Sequence, residues 1–224
     1  MSAGLRLAVF DVDGTLVDSQ AHIVGAMGAA FASVGLRGPS RAEILGVIGL
    51  SLPNAFARLA PGEDAETLTD AEAAYRAAFM EIRHAQGAGA APLYPGAVEV
   101  LRSLASDPAW AVGVATGKSR RGLQAILEMH DLTDIFDTLQ TADGHPSKPH
   151  PAMLEAALED CGMAAGDAVM IGDTTFDMEM ARSAGVTAIG VDWGYHAAER
   201  LLQSGAACVI SDFQDLIPRL DHHR

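Results

Sequence analysis

Two aspartates stand directly after the first apolar run of the sequence, where they could take part in charged chemistry. The run Leu5–Phe10 is followed by Asp11 and Asp13, with Gly14 behind them. Two carboxylates this close repel each other unless a cation or a proton lies between them. An Asp-Gly turn would explain Gly14 alone, and an EF-hand loop would place its glycine later, after three alternating oxygen ligands. We therefore predict that Asp11 and Asp13 belong to a functional site.

A second pair of acids follows another apolar run, Ala168–Ile171. Asp173 comes just after this run, and Asp177 stands four residues further on. Asp177 is placed to act as the N-cap of the next helix, whereas Asp173 has no such structural use. In an open α/β sheet, ligands bind at the carboxyl ends of the strands. Asp173 is therefore predicted as a further oxygen ligand of a hard cation.

The segment around Thr116 has some features of a phosphate-binding loop. A P-loop needs four residues between its first glycine and the Gly-Lys-Ser triplet, and Gly113 leaves only three, which excludes that motif. A strand that ends at Thr116 and Gly117, with a helix starting just behind them, is still suited to bind an anion through backbone N–H groups. Capping of that helix by Thr116 is the alternative.

Lysine is used at only two positions, Lys118 and Lys148, among 15 basic residues. Both lie beside the candidate sites, and a lysine ammonium is a compact charge compared with the guanidinium used elsewhere. Lys148 is flanked by Pro149 and, after one further residue, Pro151, which stiffen the backbone around it. A solvated loop lysine is the alternative to the role we predict, which is binding a phosphate or a carboxylate.

Composition excludes several classes of protein. The formal net charge is −14, from 29 acidic and 15 basic residues, and no basic stripe typical of a nucleic-acid binder is present. No apolar run approaches the roughly 18 residues of a membrane-spanning helix. Two cysteines, Cys161 and Cys208, are too few for a disulfide framework or a cysteine-rich metal site. We expect a soluble, cytoplasmic protein.

Short apolar runs alternate with helix-length stretches through most of the chain, which is typical of a parallel sheet covered on both faces. Strands are predicted at Leu5–Phe10, Ala111–Ala115, Ile135–Leu139, Ala168–Ile171, Val186–Val191 and Ala207–Ile210. Helices between them are predicted at Gly96–Ala105, Ser119–Met129, Pro151–Cys161, Asp177–Ala184 and Ala197–Gln203, with Gly185 placed to end the fourth.

The stretch from about residue 18 to 89 breaks this alternation because its pattern is helical throughout. Four helices are predicted there, at Ala21–Val34, Arg41–Ile48, Leu52–Leu59 and Ala65–Arg83. Small residues at 87–92 suit a hinge that returns the chain to the sheet. The pattern thus predicts an α/β fold, a doubly wound parallel sheet (residues 1–16 and 91–224) with an inserted helical domain (residues 17–90).

Taken together, four segments of the sequence resemble the motifs of the haloacid dehalogenase-like hydrolase superfamily. They are DVDGTL at 11–16, VATG at 114–117, SKP at 147–149 and GDTTFD at 172–177, in the order expected for that family. The resemblance covers the whole chain and implies a Rossmann-like core domain with an all-helical cap domain. The phosphoglycolate phosphatase-like branch is the most similar, through DGTLVDS and residues 49–52.

The resemblance implies a role for each motif residue in hydrolysis of a phosphate ester. Asp11 would be the nucleophile and form an aspartyl-phosphate, and Asp13 would be the general acid and base. Thr116, Gly117 and Lys148 would bind the phosphoryl oxygens, and Lys148 would also moderate the charge on Asp11. The expected cofactor is Mg²⁺, held by Asp11, Asp173 and the backbone carbonyl of Asp13, with Asp177 supporting that shell.

The same residues distinguish the branches of the superfamily. Its dehalogenases lack the second acid, which is present here as Asp13. Phosphonoacetaldehyde hydrolases and sugar phosphomutases use a lysine in the cap, and residues 17–90 contain none. What remains is a phosphomonoesterase for a small anionic phosphate ester, with 2-phosphoglycolate as the first candidate. An arginine of the cap would bind a second anionic group, and the candidates are Arg41, Arg58, Arg76 and Arg83.

Other functions remain open at this point. A pyrophosphatase or nucleotide phosphatase would use the same residues. A phospho-signalling receiver module also has a strand-end aspartate, a threonine, a lysine and Mg²⁺, but it needs neither Asp13 nor a helical insertion. An inactive binding protein is the remaining alternative, although every expected site residue is present. The sequence does not indicate an oligomeric state.

Overall fold

Six parallel strands form one sheet in the computed structural model, which describes residues 5–86 and 91–222. The strands are β1 (Arg6–Phe10), β2 (Trp110–Thr116), β3 (Thr138–Thr141), β4 (Ala168–Gly172), β5 (Thr187–Val191) and β6 (Cys208–Ile210). Their spatial order is β3-β2-β1-β4-β5-β6, and every neighbouring pair is parallel. The order reverses on the two sides of β1, which is where an open α/β sheet binds its ligand.

Helices cover both faces of the sheet. They are α5 (Ala97–Ser106), α6 (Arg120–Met129), α7 (Ala152–Cys161), α8 (Thr175–Ala184), α9 (Ala198–Ser204) and α10 (Leu216–His222). Because side chains alternate along a strand, β1 supplies Ala8 and Phe10 to one buried cluster and Leu7 and Val9 to another. The predicted α/β class with a doubly wound parallel sheet is confirmed.

Four further helices follow β1 and form what we call the helical unit. They are α1 (Gln20–Ser33), α2 (Arg41–Leu45), α3 (Leu52–Leu59) and α4 (Ala65–Gln86). The unit has a hydrophobic cluster of its own, in which Phe31 stacks on Phe56 with ring centroids 5.7 Å apart. The domain boundaries at residues 16/17 and 90/91 stay a prediction. The predicted hinge falls mainly on residues 87–90, outside the described part of the chain.

Two predicted elements have clearly different bounds from the observed ones, and one observed element was not predicted. The strand expected at Ile135–Leu139 is β3, which begins at Thr138; just before it, the Asp137 carboxylate accepts a hydrogen bond from the Val112 N–H at 2.8 Å. The second helix was expected to reach Ile48, but α2 ends at Leu45. The following residues turn, and Gly49 has a φ of +99°. Helix α10 was not predicted.

The ends of α8 are built by a capping box and a glycine. Thr174, not Asp177 as predicted, is the N-cap, and Asp177 is the third residue of the helix, whose carboxylate accepts from the Thr174 N–H. Gly185 ends the helix as predicted, with a φ of +71° that an L-residue with a side chain adopts only with strain. Within the described ranges, no helix is long and apolar enough to cross a membrane.

Two adjacent leucines of α9 test how much the core contributes to stability. Leu201 is completely buried, whereas Leu202 is 51% exposed. We expect Leu201→Ala to lower the free energy of unfolding by about 2–5 kcal/mol, because a cavity replaces buried contacts. Leu202→Ala should change it by less than about 0.5 kcal/mol. Urea unfolding of both variants measures the difference, and equal losses would contradict the packing of α9 described here.

Candidate active site

The sequence-predicted acids meet at the carboxyl ends of β1 and β4. Asp11 follows β1 and Asp173 follows β4, and these two strands are neighbours in the sheet. Asp177 reaches the same place from the first turn of α8. One carboxylate oxygen from each of the three lies within 4.8 Å of the others, and all three side chains are buried. We call Asp11, Asp173 and Asp177 the acid cluster.

The buried ammonium group of Lys148 lies among these acids. Its Nζ is 3.0 Å from Asp11 Oδ1 and donates to Asp177 Oδ1 at 2.6 Å. Burial by itself lowers the pKa of Lys148, but the charges of Asp11 and Asp177 outweigh this and leave the pKa above its ordinary value. Lys148 is therefore a charged ammonium group in the interior. The solvated-loop alternative for this lysine is excluded.

One ammonium group does not balance three buried carboxylates. Burial raises the pKa of Asp11 to about 7 although Lys148 acts in the opposite direction. The pKa of Asp173 is also raised well above its ordinary value, first by burial and then by the charges of Asp177 and Asp11. Apart from the ion pair with Lys148, neither Asp11 oxygen has a hydrogen-bond partner among the residues that the structure describes. Further positive charge would stabilise the ionised cluster.

The donor set fits a small hard cation. Carboxylate oxygens are the ligands that Mg²⁺ and Ca²⁺ prefer, and within the described ranges the Asp11 carboxylate has no hydrogen-bond partner besides its ion pair with Lys148. Asp177 is more fully engaged, since its Oδ1 accepts from Lys148 and its Oδ2 accepts from Thr174. Asp177 is thus suited to hold Lys148 and support the cluster, and Asp11 and Asp173 are the better placed ligands.

Glycines allow the chain to pass close to Asp173. A Cβ on Gly14 would lie 2.3 Å from Asp173 Oδ2, and Gly14 has a φ of +86°. A Cβ on Gly194 would lie 2.2 Å from the Asp173 Cβ. The Asp173 carboxylate accepts from the Thr15 hydroxyl at 2.9 Å and from the Tyr195 N–H at 2.9 Å. The loop after β1 and the loop after β5 therefore fix this carboxylate together.

Asp13 lies apart from the acid cluster and has its own cation. Lys118 Nζ is 2.7 Å from both oxygens of the Asp13 carboxylate, and the Ser19 hydroxyl also donates to it. The same ammonium group lies 5.1 Å from the ring centroid of Phe79 on α4. Lys118 therefore links an acid of the sheet edge to an aromatic ring of the helical unit.

Thr116 and Gly117 lie at the end of β2, beside the acids. Thr116 does not cap α6, because Ser119 is its N-cap and accepts from the Gly122 N–H at 3.2 Å. A Cβ on Gly117 would lie 2.5 Å from the carbonyl oxygen of Leu50. The helical unit thus touches this turn directly, and only glycine fits there.

A cavity of about 330 Å³ lies between the sheet edge and the helical unit. Asp11, Asp13, Thr116, Gly117 and Lys118 line it from the sheet side. These residues lie at or just after the ends of two different strands, β1 and β2. The cavity therefore borders the edge of the sheet at which the sequence predicted a functional site.

Two of the four candidate arginines line this cavity, namely Arg76 and Arg83. Arg41 instead bonds the exposed side chain of Gln20, and Arg58 lies over the ring of Phe176. Arg121 of α6 also lines the cavity and was not predicted. Its neighbour Arg120 is engaged elsewhere, since its guanidinium donates to the Leu139 carbonyl at 2.9 Å and its backbone N–H donates to the Asp143 carboxylate at 2.7 Å. Two adjacent arginines look alike in the sequence, so residue type alone does not show which of them reaches the cavity.

Several site residues escaped sequence analysis because they act through backbone groups or distant contacts. The Tyr195 N–H donates to Asp173, and the Tyr195 hydroxyl lies 3.2 Å from the Ser19 hydroxyl. His196 accepts from the Thr175 N–H at 3.0 Å, and burial lowers its pKa to about 4. Trp193 packs against Phe213.

Comparisons with known proteins agree with this geometry. The family model described as haloacid dehalogenase-like hydrolase matches residues 8–191. A protein of Dickeya dadantii named "Probable phosphatase IndB" is 37% identical over 215 residues, covering 94% of this chain and 91% of its own length. "Phosphoglycolate phosphatase" of Rhodospirillum rubrum is 32% identical and covers 94% of this chain and 89% of its own.

Solved structures share the fold as well. The crystal structure of a hydrolase from Pseudomonas syringae has a TM-score of 0.86 at 26% identity, covering 97% of this chain and 98% of its own. A hydrolase of the haloacid dehalogenase-like family from Streptococcus pneumoniae has a TM-score of 0.81, also at 26% identity, and covers 98% and 99%.

The pairing of Lys148 with the acid cluster can be measured through stability. Without divalent cations, we expect Lys148→Met to lower the free energy of unfolding by about 3–5 kcal/mol, because it leaves buried carboxylates without a partner. Adding Asp177→Asn should recover part of this loss, so that the double variant is more stable than the sum of the singles by at least about 1 kcal/mol. Urea unfolding gives all four values.

Leu202→Ala provides the control for this cycle. Leu202 is exposed and outside the acid cluster, so its effect should simply add to that of Lys148→Met. Additive effects of Lys148→Met and Asp177→Asn would contradict the ion pair.

Proposed function

The chain belongs to the haloacid dehalogenase-like hydrolase family and is a phosphatase, and we propose that it is Mg²⁺-dependent and acts on a small phosphorylated metabolite. One observation carries the proposal: among the residues that the structure describes, the acid cluster has one buried cation as a partner, and Asp11 of the cluster lines a cavity. Such a site favours binding of a divalent cation together with a phosphate group, because the positive charge of the cation offsets the negative charges of the carboxylates and of the phosphate. Phosphoglycolate phosphatases are among the relatives of this chain.

In the proposed first step, an oxygen of the Asp11 carboxylate bonds to phosphorus and the bond from phosphorus to the alcohol oxygen breaks. Asp13, which must hold a proton at this point, gives it to the departing oxygen. Both residues line the same cavity, which is necessary if one is the nucleophile and the other the general acid for the same phosphate ester. The product of the step is an aspartyl-phosphate on Asp11 and a free alcohol.

In the second step, a water molecule attacks the same phosphorus and Asp13 takes its proton. The bond between phosphorus and Asp11 breaks, which releases inorganic phosphate and restores both carboxylates to their starting state. Lys148, 3.0 Å from Asp11, offsets the charge of the nucleophile while an anionic phosphate approaches. Thr116 and the N–H of Gly117, at the end of β2, would bind the phosphoryl oxygens.

We propose that Asp11 and Asp173 hold Mg²⁺ together with the backbone carbonyl of Asp13, and that Asp177 supports them through Lys148. When bound, Mg²⁺ supplies positive charge and Lewis-acid polarisation of the phosphoryl oxygens. The ionised form of Asp11 is the nucleophilic one. A cation beside it acts against the burial that raises its pKa to about 7.

The helical unit, residues 17–90 in the predicted division, would then be a cap that excludes water from the phosphoryl group. Arg76 and Arg83 are the cap arginines at the cavity, and we propose that one of them binds any second anionic group of the substrate. Pyrophosphate and nucleotides remain substrates to be tested. The cytoplasmic location and the lack of nucleic-acid and membrane partners stay predictions from composition.

Replacing the nucleophile gives a direct test. We expect Asp11→Asn to lower phosphate release from a panel of phosphate esters by at least about a thousandfold, because the covalent step is lost. The far-ultraviolet circular dichroism spectrum should be unchanged. Asp13→Asn is the matched variant, and it should slow esters of alcohols far more than an aryl phosphate, whose leaving group needs less protonation. Substantial turnover by Asp11→Asn would remove it as the nucleophile.

The metal can be tested with a readout besides activity. A chelator should stop phosphate release, and Mg²⁺ should restore it. At about 100 times its dissociation constant, Mg²⁺ should raise the free energy of unfolding of the wild type by about 2.7 kcal/mol. Asp173→Asn should show much less of this increase, because one ligand oxygen becomes a neutral amide. An enzyme that is equally active and equally stable with and without Mg²⁺ would exclude the metal role.

A further inference from the structure

The wall of the cavity that faces the acids is made by the helical unit and is largely apolar. Its apolar lining comes from α1, from the α2 region and from α4, and includes Met27, Ile44, Val47, Ile48, Phe79 and Met80. Four of these side chains, those of Met27, Ile44, Val47 and Ile48, are less than a tenth exposed. The small exposed part of each of these four side chains therefore contributes to the cavity wall.

This wall begins next to the position of the leaving group. Asp13, the proposed proton donor, is held by Lys118 at 2.7 Å, and Lys118 lies 5.1 Å from the ring centroid of Phe79. An alcohol oxygen within reach of Asp13 therefore has the Phe79 ring as a near neighbour of its carbon skeleton.

The charge near Asp13 does not favour a small acid such as glycolate as the leaving group. Lys118, the cation at that point, is already paired through both oxygens of Asp13. Arg76 is paired with Glu72 at 3.0 Å. A substrate carboxylate directly beside the leaving oxygen would thus face an apolar wall and a cation that is already paired. Removing this carboxylate from water would cost free energy that its contacts in the cavity would not fully offset.

The volume of the cavity also favours an alcohol larger than glycolate. A cavity of about 330 Å³ lies within the range of roughly 300–1,000 Å³ found for sites of drug-sized ligands. A two-carbon alcohol would leave most of the apolar wall in contact with water. Arg83 and Arg121 also line the cavity, so a further polar group on a larger alcohol is compatible with it.

We propose that the substrate is a phosphate monoester of an alcohol with a ring-sized, mainly carbon face, which packs against Val47, Ile48 and Phe79. This inference rests on the proposed phosphatase function and names the substrate class of the same site. Because burial of the apolar face contributes to binding, the enzyme should discriminate by the carbon skeleton of the alcohol.

The test compares esters whose alcohols differ in carbon skeleton and little in basicity. Ethyl phosphate and cyclohexylmethyl phosphate are both esters of primary alcohols, and 2-phosphoglycolate is added as a third. With Mg²⁺ present, we expect kcat/KM for cyclohexylmethyl phosphate to exceed that for each of the other two by at least about tenfold, the ratio that a few buried carbon groups produce. An equal or higher kcat/KM for 2-phosphoglycolate would overturn the inference and leave the phosphatase function intact.

Variants of the wall tie the preference to this surface. Phe79→Ala removes the ring, and Val47→Thr keeps the side-chain shape but adds a hydroxyl. Both should reduce the ratio of kcat/KM between cyclohexylmethyl and ethyl phosphate several-fold. Leu68→Ala is the control, because Leu68 packs against the core of the helical unit and does not line the cavity, so the ratio should stay at the wild-type value.

Two outcomes would count against the inference. A ratio that is unchanged in both wall variants would place the preference elsewhere and overturn it. No phosphate release from any ester, with Mg²⁺ present, would overturn the proposed function and this inference with it.

Discussion

The candidate active site depends on one buried ammonium group that lies among three buried carboxylates. Lys148 contacts Asp11 and Asp177, while Asp173 accepts hydrogen bonds from two neutral donors, the Thr15 hydroxyl and the Tyr195 N–H. Burying this excess of negative charge costs free energy, which the raised pKa values of Asp11 and Asp173 reflect. A fold keeps such an arrangement only if the backbone imposes it. Here the parallel sheet does so, because β1 and β4 are neighbours and deliver their last side chains to the same edge.

The helical unit is attached to this charged centre at several points. The Ser51 N–H donates to the Ser147 hydroxyl at 2.8 Å, next to Lys148. The Leu50 carbonyl lies over Gly117, and Phe79 lies over Lys118. Each loop that carries a predicted phosphate-binding residue or the cation of Asp13 is therefore in contact with the helical unit.

Sequence analysis predicted the acids well because their positions follow from strand ends. An acid directly after an apolar run needs no further information to be placed at the sheet edge, and Asp11 and Asp173 are both of this kind. Lys118 lay beside a predicted site, but its pairing with Asp13 depends on a side-chain contact between residues 105 positions apart. Tyr195 acts through its backbone N–H, a group that all residues except proline have, so its residue type does not predict this contact. β3 begins only at Thr138, after Asp137, whose carboxylate accepts from the Val112 N–H of the neighbouring strand, a long-range contact that residue types do not indicate.

The net charge of −14 bears on how a substrate can be bound. The field of the whole chain repels an anionic phosphate ester, so long-range attraction does not assist its approach. Affinity must then come from contacts inside the cavity, where the ammonium group of Lys118 is already paired with Asp13. Apolar contact with Val47, Ile48 and Phe79 does not depend on charge, and screening by salt leaves it unaffected. An apolar wall is therefore a physically consistent way for a strongly acidic protein to bind a phosphorylated substrate.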